Sequence, residues 1–493
     1  MKITLTCSKR VFIRPEEVLA RLSVVNDGAE PITIPHPFRS GSGQPRFQIK
    51  GPEYPVGRAF ALGEPAGRRG HDPGGGARRG REPEMVTLGP GEAREGDAAL
   101  DDWLRDAEPG RYEVVAELTW KTLRAQSAPV EVAMEALSVR AAAIGVDVGS
   151  PRASDVFLSW MHAGEDRSAV FSALCTEEME HGAHYDPPAG RLVAGCAADA
   201  RDLLVPWTNG DRKADAHDWR AWREGATLLA LASGASEPVR LDLGAPPDRI
   251  IRPALMGPSG DLDVFAIGAG GRELLRARFP APQPPDGAPA RPPSVERVAL
   301  EAPPASGRAA LAPRTLGSRP HVALVTDRPG AGGVEVRLFG ADAGGALRQI
   351  AAALVPDVHV MASSRPGLRI DEDGFVHASM LYLRDIAARR AGVADVTFGP
   401  DGEAREVSWN GFGALSGVPV AASLVYSVTP ARPVRRDWVV LLEDGSVVTS
   451  RSPDEPQVLP GKPARPLELL PLARGTYILV IDPVRGPLLE GLR

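Results

Sequence analysis

Pro109-Gly110-Arg111-Tyr112-Glu113-Val114-Val115-Ala116-Glu117-Leu118-Thr119-Trp120 is the stretch that decides the fold of the first part of this chain. Tyr112, Val114, Ala116, Leu118 and Trp120 alternate strictly along it, the period of a strand with one buried face. A Pro-Gly turn feeding a Tyr-led strand is the sequence form of a tyrosine corner. In that motif the hydroxyl bonds back to upstream backbone and pins a crossover between two sheets. The stretch predicts a Greek-key β-sandwich and carries no chemistry.

The flanking sequence agrees. Val18 to Val25 reads as a strand turned by Asn26-Asp27-Gly28, and Ile32-Thr33-Ile34 returns after Pro31. Asn and Gly tolerate the positive φ that tight turns require. Phe47 and Ile49 mark a third strand, Val86 and Leu88 run into a turn at Pro90-Gly91-Glu92, and Pro129 to Met134 closes the segment. Between Gly57 and Glu84 periodicity fails. The Gly/Arg-rich run from Gly67 to Gly80 reads as a mobile loop. An RNA-binding tract would need interleaved aromatics, which are missing.

Val24-Val25-Asn26 with Pro31, Leu88-Gly89-Pro90-Gly91-Glu92 and Pro109-Gly110-Arg111-Tyr112 together resemble the immunoglobulin-like domains of bacterial proteins. The type seen in the intracellular proteinase inhibitor family is among them. The resemblance implies an immunoglobulin-like β-sandwich over residues 1–136. It raises protease inhibition as one function, although no reactive-site motif is matched and no inhibitory residue carries over.

Leu137 to Ser150 reads as a small-residue connector around Ala141-Ala142-Ala143-Ile144-Gly145. Residues 151–493 then form a series of similar hairpin units. Three of them turn at Asp373-Gly374, Asp401-Gly402 and Asp444-Gly445, the strongest short-range hairpin signal. Units spaced by roughly 50–60 residues predict a β-propeller of six or seven blades. The rival architecture is a string of further sandwiches, with Pro280 to Pro293 as linker or long loop. The expected fold class is all-β throughout.

Composition bounds the rest. A chain of 493 residues is too long for one core. With 57 basic and 63 acidic residues, net charge −6, it lacks the footprint of a nucleic-acid binder. Lysine occurs only at 2, 9, 50, 121, 213 and 462, a bias that reads as GC-rich bacterial coding. Cys7, Cys175 and Cys196 are too few and scattered for a disulfide framework or a zinc site. No signal-peptide core or membrane-length apolar run is visible, so the cytoplasm is the expected location.

Three constellations bear on chemistry. Glu177-Glu178-Met179-Glu180-His181-Gly182-Ala183-His184-Tyr185-Asp186 combines carboxylates and imidazoles that suit zinc. It lacks the zincin spacing, and Gly182 with Pro187-Pro188 argues for a polar loop. Asp215, His217, Asp218, Trp219 and Trp222, near Arg220 and Arg223, include two tryptophans at helical spacing, read as a packed helix face. Asp371-Glu372-Asp373 sits at a predicted hairpin and reads as solvated. Phe412 to Gly417 lacks the spacing of a nucleophile elbow, and Gly461-Lys462 lacks the rest of a phosphate loop.

No catalytic residue, metal ligand or cofactor is therefore expected, and the chain reads as a protein-binding or scaffold protein. A propeller hydrolase or lyase, metal-assisted through Glu178, His181, His184 and Asp186, is the alternative, beside a protease inhibitor acting through the first domain.

Overall fold

The computed structural model describes the chain outside residues 14–15, 39–44, 62–83, 105–106, 147–155, 165–167, 176–179, 182–183, 186–190, 208–218, 258–259, 282–290, 301–309, 317–318, 329–331, 343, 362–363, 372, 427–435, 460–461, 464–467, 472–475, 483–485 and 492–493. The Gly67–Gly80 run lies outside the described residues. Regular structure among them is strand, apart from the four-residue helix Asp101–Leu104 and the 3-10 turn Ala269–Gly271. No helix among them is long and apolar enough to cross a membrane. Two compact units result: Met1–Ser138 with the short stretches Ala189–Arg191 and Val484–Gly486, and the remainder from Val139 onward.

In the first unit, Lys2–Cys7, Leu19–Val25 and Ala93–Ala99 form an antiparallel three-stranded sheet. Val11–Ile13, Val130–Glu135, Gly110–Trp120, Arg46–Lys50 and Arg58–Ala61 form a second sheet in that order, and Leu123–Gln126 pairs with the end of Gly110–Trp120. The leading segment changes sheet. Lys2–Cys7 runs antiparallel to Leu19–Val25, and Val11–Ile13 runs parallel to Val130–Glu135. The alternation quoted above is the reason Gly110–Trp120 is central. Tyr112, Val114, Ala116 and Leu118 are buried with Phe12, Leu22, Val24, Phe47, Ile49 and Val132 in one core, while Glu113 and Glu117 point outward.

The corner forms as the Pro-Gly-x-Tyr spacing requires. The Tyr112 hydroxyl donates to the Glu108 carbonyl at 2.6 Å and accepts from the Glu53 amide at 3.4 Å. Gly110 has φ 147°, and a Cβ there would meet Pro52 Cγ at 2.6 Å. Burial pushes the Tyr112 phenol above its ordinary range.

The second unit contains seven sheets of meandering strands among the described residues. The first is Val139–Val146, Val156–Ala163, Ser168–Cys175 and Arg191–Gly195. The second is Arg201–Leu204, Trp219–Glu224, Thr227–Ala232 and Val239–Asp242. The third is Arg249–Met256, Leu262–Ile267, Glu273–Phe279 and Ser294–Ala299, with Pro206–Trp207 alongside. The fourth is Ala310–Leu316, Arg319–Arg328, Gly333–Ala341 and Leu347–Pro356. The fifth comprises Gly367–Ile370, Val376–Asp385, Arg390–Phe398 and Ala404–Ala414, and the sixth Pro419–Tyr426, Arg436–Leu442, Ser446–Thr449 and Gln457–Val458. The seventh joins Leu469–Pro471, Thr476–Asp482 and Gly486–Gly491 to the early strands His184–Tyr185 and Glu180–His181.

The first strands lie side by side in a circuit. Val139–Val146 neighbours Arg201–Leu204, followed by Arg249–Met256, Ala310–Leu316, Gly367–Ile370, Pro419–Tyr426 and Leu469–Pro471; Val139–Val146 also lies beside Thr476–Asp482. Apolar cores fill the seams between successive sheets. A strand between two seams is buried on both faces and loses its alternation. Leu228 to Ala232 is buried at every position for this reason.

Two sequence readings change here. Within the stretch read as a connector, Val139–Val146 is the first strand of the second unit, and 147–150 lie outside the described residues. Its small residues answer to crowding at the circuit, where a Cβ on Gly145 would lie 2.2 Å from Val205 Cγ1. Trp219 and Trp222 lie on a strand, and their spacing of three sends them into opposite seams. The three Asp-Gly turns stand where expected, with φ 82°, 84° and 87° at Gly374, Gly402 and Gly445.

Two substitutions test this packing. Tyr112→Phe keeps the ring and strands the Glu108 carbonyl, so unfolding of the full chain by denaturant should lose roughly 1–3 kcal/mol. An unchanged transition would remove the corner from the account of stability. Gly145→Ala should lose about 1–3 kcal/mol through overpacking against Val205, visible as a lowered melting temperature.

Candidate functional site

The residues singled out from sequence do not come together as one site. Glu177, Glu178, Asp186, Asp215, His217 and Asp218 lie outside the described residues. His181 and His184 are on paired strands rather than in a loop. Trp219 donates its indole N–H to the Gly260 carbonyl at 3.0 Å, and Trp222 donates to Glu224 at 3.0 Å. Arg223 is paired with Asp202 at 2.6 Å. Phe412 stacks on Trp438 at 4.1 Å. These groups are engaged within the fold. Among the described residues, no three His, Cys, Asp or Glu are gathered to hold a metal ion.

The constellation that most resembles catalytic machinery lies on the fifth sheet. His377 Nε2 is 2.8 Å from Asp371 Oδ2, and its Nδ1 is 3.2 Å from Thr397 Oγ1. Arg369 holds the other Asp371 oxygen at 2.8 Å. The set is satisfied when Nε2–H donates to Asp371 and the Thr397 hydroxyl donates to Nδ1. A hydroxyl, an imidazole and a carboxylate in sequence are the parts of an activated nucleophile. Asp371 is thus an ion-paired anchor and not simply a solvated turn residue. Local spacing hides the relay. Only pairing Val376–Asp385 with Arg390–Phe398 sets Thr397 opposite His377.

The backbone argues for a different role. Thr397 is the penultimate residue of Arg390–Phe398, paired on one side with His377 and on the other with Glu406, and the next element is a strand, whereas a nucleophile elbow presents its hydroxyl at a sharp strand-to-helix turn. The position of His377 also recurs. It is the second residue of its sheet's second strand, opposite Arg369, the penultimate residue of the first strand. Asp263 has the same place in the third sheet, opposite Leu255, and Asp437 in the sixth, opposite Val425.

Each of the three shares a face with apolar residues packed on the following sheet. These are Leu381 against Leu424 and Val440, Phe265 against Val322 and Leu324, and Val439 against Ile478 and Val480. Ser450 donates to Asp437 at 3.1 Å. Buried Arg276 binds Asp263 through two nitrogens at 3.2 and 2.9 Å, and Arg278 adds a contact at 3.0 Å. Arg276 then reaches the Gly345 carbonyl of the fourth sheet at 2.9 Å. Of the three, the Asp263 group reaches across to the next sheet, while the contacts of His377 with Asp371 and Thr397 and of Asp437 with Ser450 stay within their own sheets.

A second polar anchor lies at the circuit. Arg252 of the third sheet donates to Glu468 and to the Ala142 carbonyl of the first sheet, at 2.9 and 3.1 Å. Glu468 also accepts from the Ile144 amide at 3.0 Å. Their side chains are 9% and 6% exposed.

Asp263 gives this frame a pH dependence. Burial pushes its carboxyl up to about 6 from 3.8, outweighing the Arg278 guanidinium beside it. The folded state binds this proton more tightly than the unfolded chain. The stabilisation is fully present below the unfolded value and is lost as pH rises through about 6. In denaturant titrations, the stability gap between the native protein and Asp263→Asn should narrow from acid to neutral pH. A gap that widens instead would mean that the guanidiniums dominate.

No family model matches the chain. No curated protein matches it either. It is similar to the solved structure of BBS1N in complex with ARL6DN, at 14% identity over 69% of this chain and 89% of that one, TM-score 0.35. It is similar to Penicillium chrysogenum α-L-arabinanase complexed with arabinobiose, at 9% identity over 72% and 93%, TM-score 0.35. It is also similar to the polysaccharide lyase Uly1, at 10% identity over 78% and 85%, TM-score 0.30.

Proposed function

We propose that the chain is a recognition protein that binds a protein partner from a rigid frame. In this reading the first unit is an immunoglobulin-like sandwich and the second a seven-bladed β-propeller. The strand that changes sheet and the tyrosine corner support the first assignment. The circuit of first strands supports the second. One observation carries the functional reading. The best catalytic-looking group, His377, occupies a position that Asp263 and Asp437 fill elsewhere, and the Asp263 group there ties one sheet to the next. A frame of this kind holds loops for binding, and its polar groups are spent on the frame.

The relay itself favours a second reading, a hydrolase with Thr397 as nucleophile and His377 as base. The two readings separate in one pair of variants. In the recognition reading, His377→Gln and Thr397→Val each lower stability by roughly 0.5–1.5 kcal/mol, as for one lost hydrogen bond. Both leave unchanged the affinity of the full chain for a stoichiometric partner isolated with it. Turnover of an ester or glycoside substrate that disappears in both variants, with the fold retained, would replace recognition by catalysis.

A further inference from the structure

The outer strand of the fifth sheet, Ala404–Ala414, is the longest outer strand of the second unit among the described residues, and there it pairs on one side only, with Arg390–Phe398. Register shifts leave Arg405 and Phe412 as extra residues, so a regular run, Glu406–Gly411, stands between two bulges. An unpaired edge presents a row of backbone donors and acceptors, and proteins commonly blunt it with lysine, proline or another charge. Here Val407 to Val418 contains no charged residue and no proline. A Cβ placed on Gly411 or Gly413 would meet nothing within 4 Å, so the space beside the strand is open.

Aromatic side chains are held at this run. Trp409 is 39% exposed. The Tyr382 ring meets it edge-on with centroids 5.4 Å apart, and the Arg384 guanidinium lies 5.9 Å from its ring centroid. Gly392 stands between Tyr382 and Gly411 in the register and leaves room for this contact, because a Cβ there would lie 2.6 Å from the Tyr382 hydroxyl. At the second bulge, Phe412 stacks on Trp438 of the sixth sheet. The edge is thus shaped before anything binds, which lowers the ordering cost of association.

The charges around it are uneven. Register places Asp385 opposite Arg390 and Arg390 opposite Ala414, so Arg384, Arg389 and Arg390 gather at the C-terminal end of the strand. Asp385 accepts from the Ala388 amide at 2.9 Å, and none of these three arginines has an ion-pair partner among the described residues. Glu406, at the other end, is the one charge within the run.

We propose that Glu406–Gly411 takes up an extended, acidic peptide segment of a partner protein as an added strand. Main-chain hydrogen bonds supply the affinity, an apolar side chain covers Trp409, and carboxylates lie toward Arg384 and Arg390, away from Glu406. The proposal rests on the recognition reading and names the chemistry of the partner and the place where it docks.

The test selects binders to the full chain from a displayed library of random peptides long enough to span the run. Selected peptides should be acidic, and Trp409→Ala should weaken them by at least about tenfold. Arg384→Glu/Arg390→Glu should also weaken them by about tenfold and turn the selection toward basic peptides. Alternate amides of an added strand face the sheet, so N-methylating one alternate set of peptide amides should abolish binding and the other set should leave it intact. Circular dichroism checks that each variant stays folded, and the N-methyl comparison needs no variant. No binder, or binders whose affinity survives both Trp409→Ala and the charge reversal, overturns the docking edge. A concentration-dependent dimer that Trp409→Ala dissolves overturns it in favour of a second copy of this chain. The recognition reading fails differently, through turnover lost in His377→Gln and Thr397→Val.

Discussion

The ion pair between Arg252 and Glu468 is the interaction on which the second unit turns. It joins first-strand backbone from the first sheet, a guanidinium from the third and a carboxylate at the edge of the seventh. The third sheet neighbours neither the first nor the seventh in the circuit, so the pair fixes the circuit across its middle instead of along one seam. Taking both charges out of water cancels most of their attraction, and such a pair adds little net stability. It is better suited to selecting one register. A slipped seventh sheet would leave two buried charges unpaired, at a cost of several kcal/mol.

Around this point the seams divide the work. Apolar side chains fill most of each one, and polar anchors stand near the hairpins that join first and second strands. Asp263, His377 and Asp437 differ in chemistry but share a position, and each meets partners that the local strand pairing supplies. The frame tolerates the exchange of an acid for a base because the requirement is a satisfied polar group and not a given charge. A relay shaped like a catalytic triad can arise from that requirement alone.

What could be read in the sequence followed from exposure. The strand led by Tyr112 was legible because one face meets water and alternation survives. Asp373-Gly374, Asp401-Gly402 and Asp444-Gly445 were legible because positive φ restricts the residue choice. Strands buried on both faces left no period to read, which is why Trp219 and Trp222 resembled a helix face. The alanines of Val139–Val146 looked like a linker because crowding and flexibility both select small side chains. The relay at His377 stayed hidden because its members stand 6 and 20 residues away. The pairing of His184–Tyr185 with Gly486–Gly491 joins segments that no local window contains.

That late pairing also orders events in time. Ile144 and Glu468 are 324 residues apart, and the sheet that holds His184–Tyr185 is incomplete until Thr476–Asp482 and Gly486–Gly491 are made. At ordinary synthesis rates the first sheet waits roughly 15–60 s for that partner. Through that interval the hairpin at His184 offers an unpaired strand edge, the kind of surface that recruits the wrong neighbour. The growing chain is thus most open to misassembly with another copy of itself in the interval before Gly486–Gly491 is made and pairs with that hairpin.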